Sequence, residues 1–217
     1  MLYFLLIVFG LLSVYVIIVN RHSKNMTVRQ MVVKAFYPVF MLITKSNKQV
    51  IINRNITPPV SFYSLSDTLI NGKPFIFDAL KGKKVLLVNT ASDCGYTEQY
   101  TALEALSRKY EGRLVVIAFP SNDFKQQEKG SNEKIEQFCK RNFGVDFPIM
   151  RKTAVLTSPG ENSVYAWLTD ASKNGWNKKQ PSWNFCKYLV DETGKLIGYF
   201  NSPVEPMDKE LLQAINN

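Results

Sequence analysis

The chain has 217 residues, enough for one ordinary domain with a sizeable core plus something more, and it carries 27 basic and 18 acidic side chains, three cysteines and one histidine. So few cysteines exclude a disulfide scaffold, and a lone histidine, His22, leaves no material for a Cys/His nucleophilic pair or a zinc site. The net charge of +9 suggests nucleic acid, but its placement excludes that partner: Arg21, Lys24, Arg29, Lys34, Lys45, Lys48 and Arg54 all precede the first acid, Asp67, and from Pro58 onward the charges nearly cancel.

Residues 2–19, LYFLLIVFGLLSVYVIIV, hold no charge and are almost wholly apolar. No basic residue precedes the run and no small-residue cut site follows it, so a cleaved signal peptide is disfavoured and residues 1–20 read as an uncleaved single-pass anchor. Residues 21–57 then read as a basic connector whose charges meet anionic headgroups of a lipid bilayer. Within it, MVVKAFYPVFMLI (31–43) suggests a short helix lying in the interface. By the positive-inside rule the folded part, residues 58–217, is expected on the cytoplasmic side.

In the folded part, SFYSL and PFIFDAL flank Asn71-Gly72, a hairpin signal because both residues tolerate positive φ. KKVLLVNTA reads as a strand buried on both faces. Tyr100, Leu103, Leu106 and Tyr110 recur at helical spacing, Gly112 stops that helix, and RLVVIAFP is a second buried strand. Strand, helix, strand in this span predicts a right-handed βαβ unit with parallel strands. A helix capped by Ser131 and stopped by Gly144 follows, then two strands around DETGK, then a closing helix over DKELLQAI. The order predicts an α/β sandwich with a mixed sheet flanked by helices.

Cys94 follows the carboxyl end of the first buried strand and precedes its crossover helix, where open α/β sheets place ligands. A helix N-terminus favours thiolate over thiol, which makes Cys94 the candidate nucleophile. Cys94-Gly95-Tyr96-Thr97 lacks the second cysteine of a CxxC pair, which disfavours a dithiol reductase. A thiolate without an imidazole base suits attack on the weak O–O bond of a peroxide.

Three blocks carry a resemblance. NTASDCGYT (89–97), FPSNDFKQQEKGSNEKIEQFC (119–139) and WNFCKYLV (183–190) resemble, in order, the signatures of the glutathione peroxidase family, in a cysteine-containing form. The likeness covers roughly residues 60 to 216 and implies a thioredoxin-like sandwich and a peroxidase. It also implies Cys94 as the peroxidatic residue, Gln127 and Trp183 as donors toward it and Asn184 as the fourth member. Cys139 matches the resolving cysteine of the two-cysteine branch, which resembles a thioredoxin-dependent peroxidase more than a user of glutathione. The implied cycle oxidises Cys94 to a sulfenic acid, condenses it with Cys139 to a disulfide, and restores both with a thioredoxin-like protein or glutathione.

The substrate is then hydrogen peroxide or an organic or lipid hydroperoxide, with no cofactor and no metal. The short Met150–Trp183 connection resembles monomeric members, and Cys186 is read as a strand residue without a role. The chain departs from the family's usual pattern at Asp123 and Lys125, where glutamine and glycine are common, and at Lys129 and Ser121, where proline and cysteine are. Two structural expectations follow. Consecutive strand residues face opposite ways, so Trp183 and Asn184 reach one sulfur only from a strand entrance or bend. Cys139, on a helix, needs local unwinding of that helix to meet Cys94. An alternative is a peroxide sensor or redox relay, in which the disulfide passes to a partner protein.

Overall fold

In the computed structural model, which describes residues 2–217, the elements run α1 (Leu2–Val19), α2 (Val28–Thr44), β1 (Val50–Ile52), β2 (Ser66–Thr68), β3 (Pro74–Ile76), β4 (Lys84–Thr90), α3 (Gln99–Lys109), β5 (Leu114–Pro120), α4 (Asn132–Phe143), α5 (Ser163–Leu168), α6 (Ala171–Asn174), β6 (Lys187–Val190), β7 (Leu196–Phe200) and α7 (Lys209–Asn216). The main sheet has the order β1-β7-β6-β4-β5. β4 pairs parallel with β5 and antiparallel with β6, and β7 pairs antiparallel with both β6 and β1. This is the mixed sheet of a thioredoxin-like fold, and the βαβ unit is β4-α3-β5.

Strand alternation divides the interior into two cores. Leu86 and Val88 of β4, Val116 and Ala118 of β5 and Leu189 of β6 face one side, where they meet Leu103 and Leu106 of α3, Ile135 and Cys139 of α4 and Leu211 of α7. Val85, Leu87, Ile117, Phe119 and Tyr188 face the other side, against Val164, Trp167 and Leu168 of α5. All seven residues of β4 are buried, which explains the unbroken apolar run Val85–Val88 in place of an alternating pattern.

The hairpin at Asn71-Gly72 forms, but not as the primed two-residue turn that the dipeptide suggests. Only Gly72 has positive φ, at 85°; its N–H bonds Leu69 O at 2.8 Å, and Leu69 N–H bonds Lys73 O at 2.8 Å. The loop is therefore longer, and β2 and β3 are three residues each. Phe62–Ser64 of the SFYSL stretch is a single 3-10 turn rather than strand.

The N-terminal expectations need correction. Leu2–Val19 does form one helix, but among the described residues no helix is long and apolar enough to cross a membrane. At ~1.5 Å per residue α1 measures about 27 Å, short of a ~30 Å hydrocarbon core. The single-pass anchor and the sided placement of the domain are thus overturned. The C-terminal end of α1 is tied to α2: Tyr15 OH donates to Ala35 O at 3.0 Å, and the buried Asn20 amide donates to Val16 O and Met31 O. Phe4, Phe9, Leu11 and Ile17 on α1 stay exposed.

Nor does 31–43 lie as a free interfacial helix. It is part of α2, which starts with a capping box between Thr27 and Gln30 and continues through Pro38. Ala35 and Met41 are buried, and Met41 belongs to the same core as Cys94. β1, also from the basic stretch, is the edge strand beside β7.

Candidate active site

The carboxyl end of β4 delivers the chain into a run of tight turns that carries Cys94. Thr97 N–H bonds Cys94 O at 3.1 Å, Gln99 N–H bonds Tyr96 O at 2.9 Å, and Tyr100 N–H bonds Thr97 O at 3.1 Å, leading into α3. Thr97 Oγ1 accepts from Cys94 N–H at 3.1 Å and has Ala91 O at 2.9 Å as an acceptor for its own proton. These contacts fix the backbone on both sides of the sulfur.

Cys94 is 1% exposed. Its Sγ accepts from the Tyr96 N–H at 3.5 Å. Burial pushes the thiol above its ordinary value, while the Tyr96 N–H, the Trp183 indole and the Asn184 amide pull it back by stabilising the anion. The nearby Asp93 charge adds a smaller upward push. The expected dominance of a helix N-terminus is therefore corrected: α3 starts only at Gln99, and desolvation outweighs the donors in this closed arrangement.

Trp183 and Asn184 reach the sulfur because the chain bends just before β6. Phe185 has φ +65°, and β6 begins only at Lys187. Asn89, near the end of β4, clamps the bend on three sides. Its Nδ2 donates to Trp183 O at 2.9 Å, its Oδ1 accepts from Cys186 N–H at 3.0 Å, and its O accepts from Phe185 N–H at 2.6 Å. The Trp183 ring lies against Phe124, centroids 5.5 Å apart, with Lys125 Nζ 5.6 Å from its face.

Gln127 is one step further from the sulfur. Its Oε1 accepts from Asn184 Nδ2 at 2.9 Å, and its backbone O accepts from Asp93 N–H at 3.0 Å. Asn184 Oδ1 is buried without a hydrogen-bond partner. The structure thus gathers Cys94, Trp183, Asn184 and Gln127 at one place, with Gln127 touching Asn184.

Cys139 sits on α4, fully buried, and all three cysteines are free thiols. Burial pushes its thiol up to about 12, against a smaller opposing effect from the Tyr100 hydroxyl beside it. The helix ends just beyond it in a glycine cap: Gly144 has φ +63°, its N–H bonds Lys140 O at 3.1 Å, and Val145 N–H bonds Cys139 O at 3.4 Å. Cys186 lies immediately before β6 rather than within it, with Ser182, Tyr199 and Ser202 hydroxyls 3.5–3.6 Å from its sulfur.

Sequence reasoning passed over two residues here. Asn89 looked like part of a buried strand, although a lone amide inside an apolar run is a signal that something must satisfy it. Glu128, in the polar stretch after β5, is 1% exposed and its Oε2 accepts from Ser92 Oγ at 3.0 Å. Burial pushes its carboxyl up to about 7, despite Ser92 and Lys152 acting the other way.

A groove of about 510 Å³ lies beside the site, with Gln127, Lys129, Ile135, Phe138 and Arg141 in its walls. The space directly beside Cys94 is only about 10 Å³, room for one water at most. Among the described residues no cluster of potential metal ligands occurs. Such a site holds a sulfur whose anion is met by uncharged donors, which can also stabilise an oxygen leaving with negative charge.

Comparison with known proteins agrees with that chemistry. The family described as "Glutathione peroxidase" matches residues 62–169. "Glutathione peroxidase-like peroxiredoxin 2" of Saccharomyces cerevisiae is 46% identical over 159 residues, covering 72% of this chain and 98% of that protein. "Hydroperoxy fatty acid reductase gpx1" of Synechocystis is 36% identical over 152 residues, covering 67% and 89%. The crystal structure of Trgpx in apo form aligns with a TM-score of 0.55 at 31% identity, covering 73% of this chain and 97% of that one. With the sulfur, its donors and this level of identity over nearly the whole length of its relatives, the chain belongs to the glutathione peroxidase family.

Proposed function

We propose that Cys94 is the peroxidatic residue of this thiol peroxidase, Cys139 its resolving partner, and Trp183 and Asn184, with Gln127 behind them, the groups that stabilise charge at the reacting atoms. The chain is a peroxide-reducing thiol peroxidase by its family. The Cys94 thiolate attacks one oxygen of the peroxide, an S–O bond forms, the O–O bond breaks, and the alkoxide or hydroxide leaves with the proton given up by the thiol. Cys139 then attacks the sulfenic acid: an S–S bond forms, the S–O bond breaks, and water leaves. A thioredoxin-like dithiol returns two electrons and regenerates both thiols.

The observation that carries this reading is the Cys94 sulfur accepting from the Tyr96 N–H at 3.5 Å, with the Trp183 indole and the Asn184 amide near enough to favour its anion and Gln127 fastened to Asn184. An organic or lipid hydroperoxide is favoured as substrate by the name of the Synechocystis relative and by the groove, in which Ile135 and Phe138 sit among Lys129, Lys134 and Arg141. A monomer is part of the reading, supported by the short Met150–Trp183 connection.

The test is stopped-flow oxidation of wild type, Cys94→Ser and Cys139→Ser, with and without thioredoxin. The reading requires the fast phase to vanish only in Cys94→Ser and recycling to vanish in Cys139→Ser. Oxidation without steady turnover in the wild type would instead mark a relay.

A further inference from the structure

One helix outside the matched residues 62–169, with the residues that lead into it, holds down both elements that carry Cys94 and Cys139. On the Cys94 side, Arg29 Nη1 of α2 pairs with Asp93 Oδ2 at 2.8 Å and Gln30 Nε2 donates to Ser92 O at 3.0 Å. Lower on the helix, the Phe40 ring packs on Gly95 so closely that a Cβ there would sit 3.0 Å from Phe40 Cζ. The same ring meets Tyr96 edge to face, centroids 4.8 Å apart. Met26 and Val33 close the small space beside the sulfur, together with Phe138 and Phe143 of α4.

On the Cys139 side, contacts from the same segment fall on the last turn of α4. Lys24 N–H bonds Asn142 Oδ1 at 2.8 Å, and Lys34 Nζ lies 5.6 Å from the centre of the Phe143 ring. That turn, Cys139 to Gly144, is the one that must loosen before a buried Cys139 can turn toward Cys94. Loosening it moves Asn142 and Phe143, and so removes what α2 rests on.

We propose that α2 is a redox-linked latch: it closes over Cys94 and braces α4 while both cysteines are thiols, and it is released when Cys94 and Cys139 join. The inference rests on the assignment of those two cysteines above. Peroxide supplies the oxidation, the joining step forms S–S and expels water from the sulfenic acid, and the face that α2 vacates becomes the approach for the reducing dithiol.

The test is hydrogen exchange on the full chain, following the amides of residues 31–43 in the reduced protein and after one equivalent of hydrogen peroxide. Release predicts exchange faster by about tenfold or more in the oxidised wild type, and no change in Cys139→Ser treated the same way. Unchanged exchange in wild type whose digest contains the Cys94–Cys139 disulfide peptide overturns the latch and leaves the cysteine assignment standing. A digest without that peptide overturns the assignment, and the latch with it.

A second arm reads access in the reduced protein by iodoacetamide. Phe40→Ala should raise alkylation of Cys94 about tenfold, whereas Leu42→Ala, at a side chain 74% exposed, should leave it unchanged. Equal rates in folded Phe40→Ala and wild type also overturn the latch.

Discussion

The Asn184 amide donates to Gln127 Oε1 at 2.9 Å, so the bend that precedes β6 is fastened to the loop that follows β5. That single bond sets the direction in which Asn184 faces Cys94 and gives Gln127 an indirect hold on the sulfur. Gln127→Ala should therefore lower the rate of Cys94 oxidation by about tenfold, as expected when a reacting geometry is loosened rather than a donor removed. Trp183→Phe removes a donor outright and should cost about 100-fold. Peroxide consumption under saturating reductant measures both, and equal losses in the two variants would contradict this division.

Glu128 gives a pH signature. Its carboxyl is near 7 in the folded chain against an ordinary value of 4.5, so between those limits the folded state holds a proton that the unfolded state has lost. Its contribution to stability is complete below about 4.5 and disappears as pH rises through about 7, a change on the order of 3 kcal/mol. Glu128→Gln keeps an acceptor for Ser92 and cannot titrate. Its urea midpoint relative to wild type should rise between pH 5 and pH 8, and parallel midpoints across that range would refute the assignment.

Asn89 satisfies three backbone groups of the 183–186 bend from a buried strand. Asn89→Leu strands the Trp183 carbonyl and the Cys186 N–H, each costing about 1–3 kcal/mol when buried unpaired. Denaturation should show the loss in stability, and the oxidation rate should fall with it because Trp183 is no longer held. A variant of wild-type stability and rate would show that the clamp is dispensable.

Gly144 tests the end of α4. Its φ of +63° penalises any residue with a Cβ, so Gly144→Ala should lower stability by about 1 kcal/mol. Because the same turn must open for Cys139 to move, disulfide formation after peroxide should be no slower than in wild type and is expected to be faster. A slower resolving step, followed by quenched mass analysis, would mean that the intact cap assists the encounter.

Much of this architecture could be read from spacing. β4, α3 and β5 announced themselves because a continuous apolar run, a 3.6-residue stripe and a second apolar run leave few alternatives. Once the resemblance set Trp183 and Asn184 at one sulfur, the strand entrance followed from side-chain alternation, since adjacent residues cannot both face one atom from a regular strand.

What stayed hidden depended on surfaces far apart in sequence. Phe40 and Met41 are residue types an interfacial helix also shows, and only the folded domain reveals that they pack against it. The electrostatic balance at Cys94 was hidden for the same reason: the helix is local and visible, whereas the desolvation that pushes the thiol up comes from core packing around the sulfur that sequence proximity does not show. Glu128 gave no signal because its burial depends on a contact with Ser92, 36 residues away in sequence.

The account turns on which sulfur reacts with peroxide first. Treating the Cys139→Ser chain with one equivalent of hydrogen peroxide in the presence of dimedone, which captures sulfenic acids, and mapping the adduct by peptide mass analysis answers that directly. The account predicts the label on Cys94 alone, and its disappearance in Trp183→Phe when peroxide exposure is brief. Label on Cys186, or no label while peroxide is consumed, would contradict it.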